Sequence, residues 1–131
     1  IFAADLVREM NLPIAMDFME VSSYDDGMQS SRKVQVLKDL RDDISGKDVL
    51  LVEDIVDTGH TIKHVLQLLQ QRQPNSLSVC TLLDKPSRRE VDIQPEWRGF
   101  EIPDEFVVGF GLDYGQRHRN LPYIGKVKML E

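Results

Sequence analysis

One stretch of the chain, VLLVEDIVDTGHTIKHV at residues 49–65, constrains the fold more than any other. Its first four residues form an uninterrupted apolar run, which is typical of a central strand in a parallel sheet. From Thr61 onward the apolar residues recur at helical spacing instead. Those residues are Ile62, Val65, Leu66 and Leu69. The stretch therefore predicts a buried strand that passes through a short polar loop directly into an amphipathic helix, which ends near residues 73–74.

Two later segments extend this unit. LSVCTLLD at residues 77–84 predicts a second buried strand, and FVVGFGLDY at residues 106–114 predicts a third. A strand, a helix and a strand of these lengths form a right-handed crossover unit. We therefore expect an α/β fold with a mostly parallel sheet.

The segments before residue 49 are less regular. Residues 1–10 place apolar side chains on one helical face, so they predict an amphipathic helix. Residues 14–21 and 34–40 have the character of strands, and the polar residues 22–33 between them predict a long mobile loop. Because the chain opens at Ile1 inside a helical pattern, we expect a further segment upstream.

Bulk composition narrows the class of protein. The length of 131 residues suits a single domain spanning 1–131. The net charge of −6 argues against a general binder of nucleic acids or membrane surfaces. The one cysteine, Cys80, excludes an internal disulfide and is expected to be a small buried residue rather than a reactive thiol. With no visible signal peptide and no bilayer-length apolar run, we expect a cytoplasmic protein.

The loop after the strand has the composition of an anion site. Ligands of open α/β sheets bind at the carboxyl ends of the strands, and the following helix offers free N–H groups and a positive dipole end. Gly59 allows close approach of the backbone, and Thr58 and Thr61 add hydroxyl donors. This loop is predicted to hold a monophosphate.

Three acids, Glu53, Asp54 and Asp57, precede that loop. Carboxylates only accept hydrogen bonds, so they suit the vicinal hydroxyls of a ribose or a hard cation such as Mg²⁺. The loop would donate hydrogen bonds to a phosphate and the carboxylates would accept them from sugar hydroxyls, so the two together fit a sugar phosphate. Two alternatives remain at this point: acids that merely stabilise a helix start, and a phosphoacceptor receiver domain, whose acid pair normally follows the first strand and lacks a Thr-Gly loop.

The segment VLLVEDIVDTGHT closely resembles the phosphoribosyl pyrophosphate signature of type I phosphoribosyltransferases. SSY before a long loop, LLDKPSRREV, GFEIPDEFVVGFGLDY and QRHRNLPYIGKV narrow the resemblance to the bacterial hypoxanthine (hypoxanthine-guanine) phosphoribosyltransferases. The resemblance runs nearly end to end. It implies a mostly parallel sheet flanked by helices with a small hood, and an earlier strand and pyrophosphate loop before Ile1.

The implied reaction transfers phosphoribosyl from phosphoribosyl pyrophosphate to N9 of a 6-oxopurine, with Mg²⁺ required. By resemblance, Glu53, Asp54 and Ile55 would meet the ribose, and Asp57 would be the general base near N7 of the purine. The resemblance assigns the 5′-phosphate to Thr58, Gly59 and Thr61. Homodimers or homotetramers are expected.

The remaining implied roles concern the base and the pyrophosphate. Lys85 would donate to O6, although a solvated turn lysine is the ordinary interpretation. Phe106 would stack on the base and Val107 would read its edge through the backbone, although a core phenylalanine is the ordinary interpretation. Asp113 would join Glu53 and Asp54 at the metal, and Arg119 would bind pyrophosphate. Arg88, Arg89 and Arg117 are interpreted as surface charges.

A lid over the site is expected from the polar loop, with Ser23 and Tyr24 at its start, because exclusion of water protects a reactive sugar intermediate. The rival from another class is a regulatory protein of this fold that binds nucleotide or RNA without catalysis. The acidic charge, Lys85 and the segment EFVVGFGLDY argue against it.

Overall fold

A computed structural model describes residues 1–24 and 33–130 of the chain. Its centre is a parallel sheet of three strands in the order β3-β4-β5, and the helix α2 makes the crossover between the first two. The bounds are β3 Asp48–Val56, α2 His60–Gln70, β4 Ser76–Asp84 and β5 Trp97–Glu101. The predicted strand–helix–strand unit is confirmed.

The other elements surround this sheet. The helix α1 spans Phe2–Glu9 and contacts β3. The strands β1, Glu20–Tyr24, and β2, Lys33–Lys38, pair antiparallel with each other. The short strands β6, Val107–Val108, and β7, Gly125–Lys126, form a second antiparallel pair.

The core lies between α2 and the sheet. The predicted apolar face of α2 is confirmed, since Ile62, Val65 and Leu69 are buried. They belong to two clusters that also contain Val56, Val79 and Ile44. Cys80 is a free, buried cysteine, as expected, and burial raises the pKa of its thiol.

The third strand of the parallel sheet is not the predicted one. It is residues 97–101, whereas the segment 106–114 contains only the two-residue strand β6. The reason is local: the backbone has a positive φ at Gly109, Phe110 and Gly111, and Gly109 and Leu112 exchange backbone hydrogen bonds. A Cβ on Gly109 would lie 2.0 Å from the carbonyl oxygen of Tyr123, so this tight turn requires glycine.

The strand predicted at 14–21 begins only at Glu20. The Asp17 carboxylate accepts hydrogen bonds from the backbone N–H groups of Phe18, Arg41 and Asp42. These side-chain bonds take the place of a strand ladder in this segment. Of the predicted loop at 22–33, residues 22–24 belong to β1, residue 33 starts β2, and residues 25–32 lie outside the described part.

None of the described helices is of the length and apolarity that crossing a lipid bilayer demands.

Candidate active site

Two of the three acids, Glu53 and Asp54, lie inside β3, and only Asp57 follows it. The strand was expected to end at Val52, yet its pairing with β4 continues from Glu53 with Thr81 to Val56 with Asp84. Ile55 pairs with Leu83 within this ladder. The polar loop proper is therefore only residues 57–59, because α2 begins at His60.

Glu53 has the most perturbed carboxyl group described. Desolvation by burial and the neighbouring charge of Asp54 raise its pKa from 4.5 to about 7. Both acids face a pocket of about 180 Å³ that the start of α1 closes on one side. The pocket is lined by Ile1, Phe2, Ala3, Val52, Glu53, Asp54, Phe110 and Gly111. A carboxylate that is costly to ionise inside a pocket is typical of a binding site.

Gly59 forms the start of α2 in the left-handed conformation, with φ of 92°, and no side chain caps this helix end. A Cβ on Gly59 would lie 2.9 Å from Cγ2 of Val91, so no other residue fits without displacement. The first turn of α2 contains no acidic residue, so the alternative in which the acids merely stabilise the helix start has no support there. Backbone N–H groups without a capping side chain are what a bound phosphate requires.

The carboxylate of Asp57 pairs instead with Arg88, at 3.0 Å between Oδ1 and Nε. The next residue, Arg89, donates from Nη1 to the carbonyl oxygen of Asp57 at 2.9 Å, and its side chain is 12% exposed. The interpretation of Arg89 as a plain surface charge is wrong, because the 3₁₀ turn Pro86–Arg88 brings this residue against the loop. Arg88 is exposed, as expected, and pairs with Asp57 from the surface. Arg117 is exposed, as expected.

Lys85 is 7% exposed, so the interpretation as a solvated turn lysine is also wrong. Its backbone N–H donates to the carbonyl of Val56, which ties the end of β4 to the end of β3. Its Nζ lies 4.0 Å from Oδ1 of Asp104. Arg88 lies 3.6 Å from Asp104 as well, so a chain of ion pairs connects Lys85 to Asp57.

Phe106 is 53% exposed and is not a core residue. Its ring meets Tyr114 edge to face, at 5.5 Å between centroids, which leaves a face of the ring available for stacking. Val127 donates to the carbonyl of Phe106, and Val107 is opposite Lys126. Hydrogen-bonded and non-bonded residue pairs alternate in an antiparallel ladder, so the pair after the bonded Phe106–Val127 pair is a non-bonded one. The backbone N–H and C=O of Val107 therefore point away from β7, where they could form hydrogen bonds with the edge of a bound base.

Asp113 and Arg119 are brought together, at 3.4 Å between Oδ1 and Nη2. Arg119 also donates to the carbonyl of Gly111, which lines the pocket beside Glu53. Within residues 1–24 and 33–130, no three carboxylates or imidazoles form a ready-made metal cluster. The assignment of Glu53, Asp54 and Asp113 to a metal stays a prediction.

Two acids, Asp84 and Asp104, escaped the sequence analysis as functional candidates. Asp84 is fully buried at the end of β4, where Arg89 and Arg98 bind its carboxylate, and Asp104 faces Lys85. In LLDKPSRRE a carboxylate ends an apolar strand and two arginines follow it, and this signal could have identified the pair of Asp84 and Arg89.

Comparison with known proteins gives consistent matches. The family model described as phosphoribosyl transferase domain matches residues 1–115. Hypoxanthine phosphoribosyltransferase of Haemophilus influenzae is 61% identical over 130 residues, covering 99% of this chain and 73% of the relative. Hypoxanthine-guanine phosphoribosyltransferase of Staphylococcus epidermidis is 54% identical, covering 97% and 71%. A crystal structure of a hypoxanthine phosphoribosyltransferase from Staphylococcus aureus superposes with a TM-score of 0.93 at 53% identity, covering 97% of this chain and 69% of that one.

Proposed function

The chain belongs to the phosphoribosyltransferase family, and we propose that it transfers 5-phosphoribosyl from phosphoribosyl pyrophosphate to N9 of hypoxanthine or guanine, giving IMP or GMP in purine salvage. The relatives it matches carry the names of enzymes for these bases. The observation that carries the proposal is the buried Lys85, linked through ion pairs to Asp57.

Lys85 supports a preference for 6-oxopurines. Its ammonium group only donates, so it suits a carbonyl oxygen at position 6 and disfavours the amino group of adenine. Burial removes competing water from this contact. The exposed ring of Phe106 and the outward backbone of Val107 lie on one short strand and its flank, where they would stack on the base and read its edge.

Asp57 is the proposed general base. A positioned carboxylate takes or shares the purine proton as N9 attacks the anomeric carbon, which develops positive charge. In the structure Arg88 holds this carboxylate at 3.0 Å. We therefore propose that Arg88 releases Asp57 when the base binds, with Asp104 as its second partner.

The start of α2 is the proposed phosphate site. Thr58, Gly59 and Thr61 would hold the 5′-phosphate, supported by the uncapped helix end and the left-handed glycine. Glu53, Asp54 and Ile55 would contact the ribose, and Arg119 would bind pyrophosphate. The lid that begins at Ser23 and Tyr24 would close over them.

Magnesium fits the donor set of the pocket. Glu53 and Asp54 are among its lining residues, and carboxylate oxygens are ligands that Mg²⁺ prefers. We propose that these two residues and Asp113 hold the ion directly or through the ribose. Bound there, Mg²⁺ supplies charge neutralisation of the departing pyrophosphate.

We also propose a homodimer or homotetramer in the cytoplasm. Large apolar side chains such as Trp97 and Phe100 are 58% and 63% exposed on β5, which favours burial by a second subunit. The free, buried thiol of Cys80 is compatible with a reducing compartment. Light scattering after size exclusion gives the subunit number directly.

The decisive test is turnover with hypoxanthine, guanine and adenine in the presence of phosphoribosyl pyrophosphate and Mg²⁺. We expect IMP and GMP to form and AMP not to form. Binding of nucleotides without turnover would support the regulatory alternative, and equal use of adenine would contradict the role of Lys85.

A further inference from the structure

The buried carboxylate of Asp84 has no role in the proposed contacts with the substrates. It is fully buried at the carboxyl end of β4, and two arginines neutralise it. Arg89 binds one oxygen through Nη2, and Arg98 binds the other through Nη1 at 3.0 Å. Burying a carboxylate lowers the stability of the fold unless well-placed partners compensate for the lost hydration of its charge.

The two arginines differ in what else they touch. Arg89 is 12% exposed in its side chain and donates from Nη1 to the carbonyl of Asp57 at 2.9 Å. Arg98 is 42% exposed and has Glu101 as its other described partner, at 3.3 Å on the surface. Only Arg89 therefore connects the buried acid to the loop that precedes α2.

Arg89 holds the backbone of this loop at the peptide unit between Asp57 and Thr58. Since a peptide unit is planar, fixing the carbonyl of Asp57 fixes the plane that joins it to Thr58. The Cδ of Arg89 also lies 3.1 Å from the position of a Cβ on Gly59, so the arginine stem packs against the left-handed glycine. A further tie runs from the N–H of Glu90 to the carbonyl of Thr58, at 3.0 Å.

This inference rests on the proposed function: we propose that Arg89, anchored by Asp84, is a positioning residue that sets the affinity of the loop 57–59 and the first turn of α2 for the 5′-phosphate. It acts through the loop backbone and makes no substrate contact itself. Its planar fork can reach a carboxylate and a carbonyl together, whereas the single ammonium of a lysine cannot reproduce that fork. The Asp84–Arg89 pair thus preorganises the anion site before the ligand arrives.

The experiment compares Arg89→Lys with Arg98→Lys, which is the matched control at the same carboxylate. Isothermal titration calorimetry measures the affinities of IMP and of inosine, which differ only by the phosphate, and calorimetric melting reports stability. For Arg89→Lys we expect IMP affinity to fall by about 10- to 100-fold, the range of a misplaced binding group, with inosine affinity within about twofold of wild type. We expect both affinities to be unchanged in Arg98→Lys.

Equal losses for IMP and inosine in Arg89→Lys, or an unchanged IMP affinity, would overturn the positioning role. If Arg89→Lys does not fold, Asp84→Asn weakens the same anchor while keeping its size. The same selective loss of IMP then supports the proposal, and a non-selective loss refutes it. A wild-type protein that binds IMP no more tightly than inosine would instead contradict the proposed phosphate site, so the two failures are distinguishable.

Discussion

Replacing Glu53 by glutamine should stabilise the ligand-free protein at alkaline pH and leave its stability unchanged at acidic pH. Burial, together with the charge of Asp54, raises the pKa of Glu53 from 4.5 to about 7. The folded state therefore binds a proton more tightly here than the unfolded chain does. Stability linked to Glu53 is fully present below pH 4.5 and is lost as the pH rises through about 7.

The magnitude follows from the size of the shift. Each pKa unit corresponds to about 1.4 kcal/mol, so ionising Glu53 in the folded state costs up to about 3 kcal/mol above pH 8. Glutamine keeps the shape of the side chain and carries no charge at any pH. The difference in unfolding free energy between Glu53→Gln and wild type should thus grow from near zero at pH 4.5 to about 3 kcal/mol at pH 8.

Urea unfolding of both proteins at several pH values, without ligand or metal, measures this difference. Glu9→Gln, on the exposed side of α1, is the matched control, and its effect should stay within about 0.5 kcal/mol at every pH. The same Glu53→Gln variant should bind phosphoribosyl pyrophosphate and Mg²⁺ more weakly, because it lacks the carboxylate proposed to contact them. The wild-type protein would then keep Glu53 for binding although it lowers the stability of the fold. A stability difference that does not change with pH would refute the reasoning.

Three further substitutions test separate parts of the site. Asp57→Asn should lower kcat by about 10²- to 10⁴-fold with little change in the KM for phosphoribosyl pyrophosphate, and an unchanged kcat with chemistry rate-limiting would remove Asp57 from the mechanism. Lys85→Ala should weaken hypoxanthine binding by about 1.5–3 kcal/mol in calorimetric titration; unchanged affinity would place Lys85 away from the base. Gly59→Ala should lower both the melting temperature and IMP affinity, since its φ of 92° and the 2.9 Å approach to Val91 exclude a Cβ; a fully active, stable variant would contradict the tight approach.

The sequence by itself determined the unit from β3 through α2 to β4. Its signals are local: an apolar run, a glycine at a turn and apolar residues at helical spacing lie within one continuous stretch. Burial of Ile62, Val65 and Leu69 follows from that spacing alone. The candidate acids were visible for the same reason, since Glu53, Asp54 and Asp57 directly follow the apolar run.

The boundaries of strands depended on partners that are distant in the chain. Residues 97–101 read as an irregular polar and aromatic segment, and they become β5 because β4 offers a free parallel edge. The more apolar segment 106–114 does not join the parallel sheet, because backbone turns at Gly109 and Gly111 fold it back after the short strand β6. Whether a segment forms a strand is decided by which edge it meets, and a local pattern does not contain that information.

Only the tertiary structure decided the electrostatics of the site. Lys85 and Arg89 look in sequence like solvated charges of a turn, yet Lys85 is buried and the side chain of Arg89 is only 12% exposed, because the 3₁₀ turn after β4 folds over the start of α2. The pairing of Arg89 with Asp84 and with the carbonyl of Asp57 joins positions that are separated in the chain. The pKa of Glu53 depends on the solvent excluded around it, partly by α1. Solvent exclusion and charge pairing arise when separate segments meet, so residue types and spacing could nominate the site but not set its chemistry.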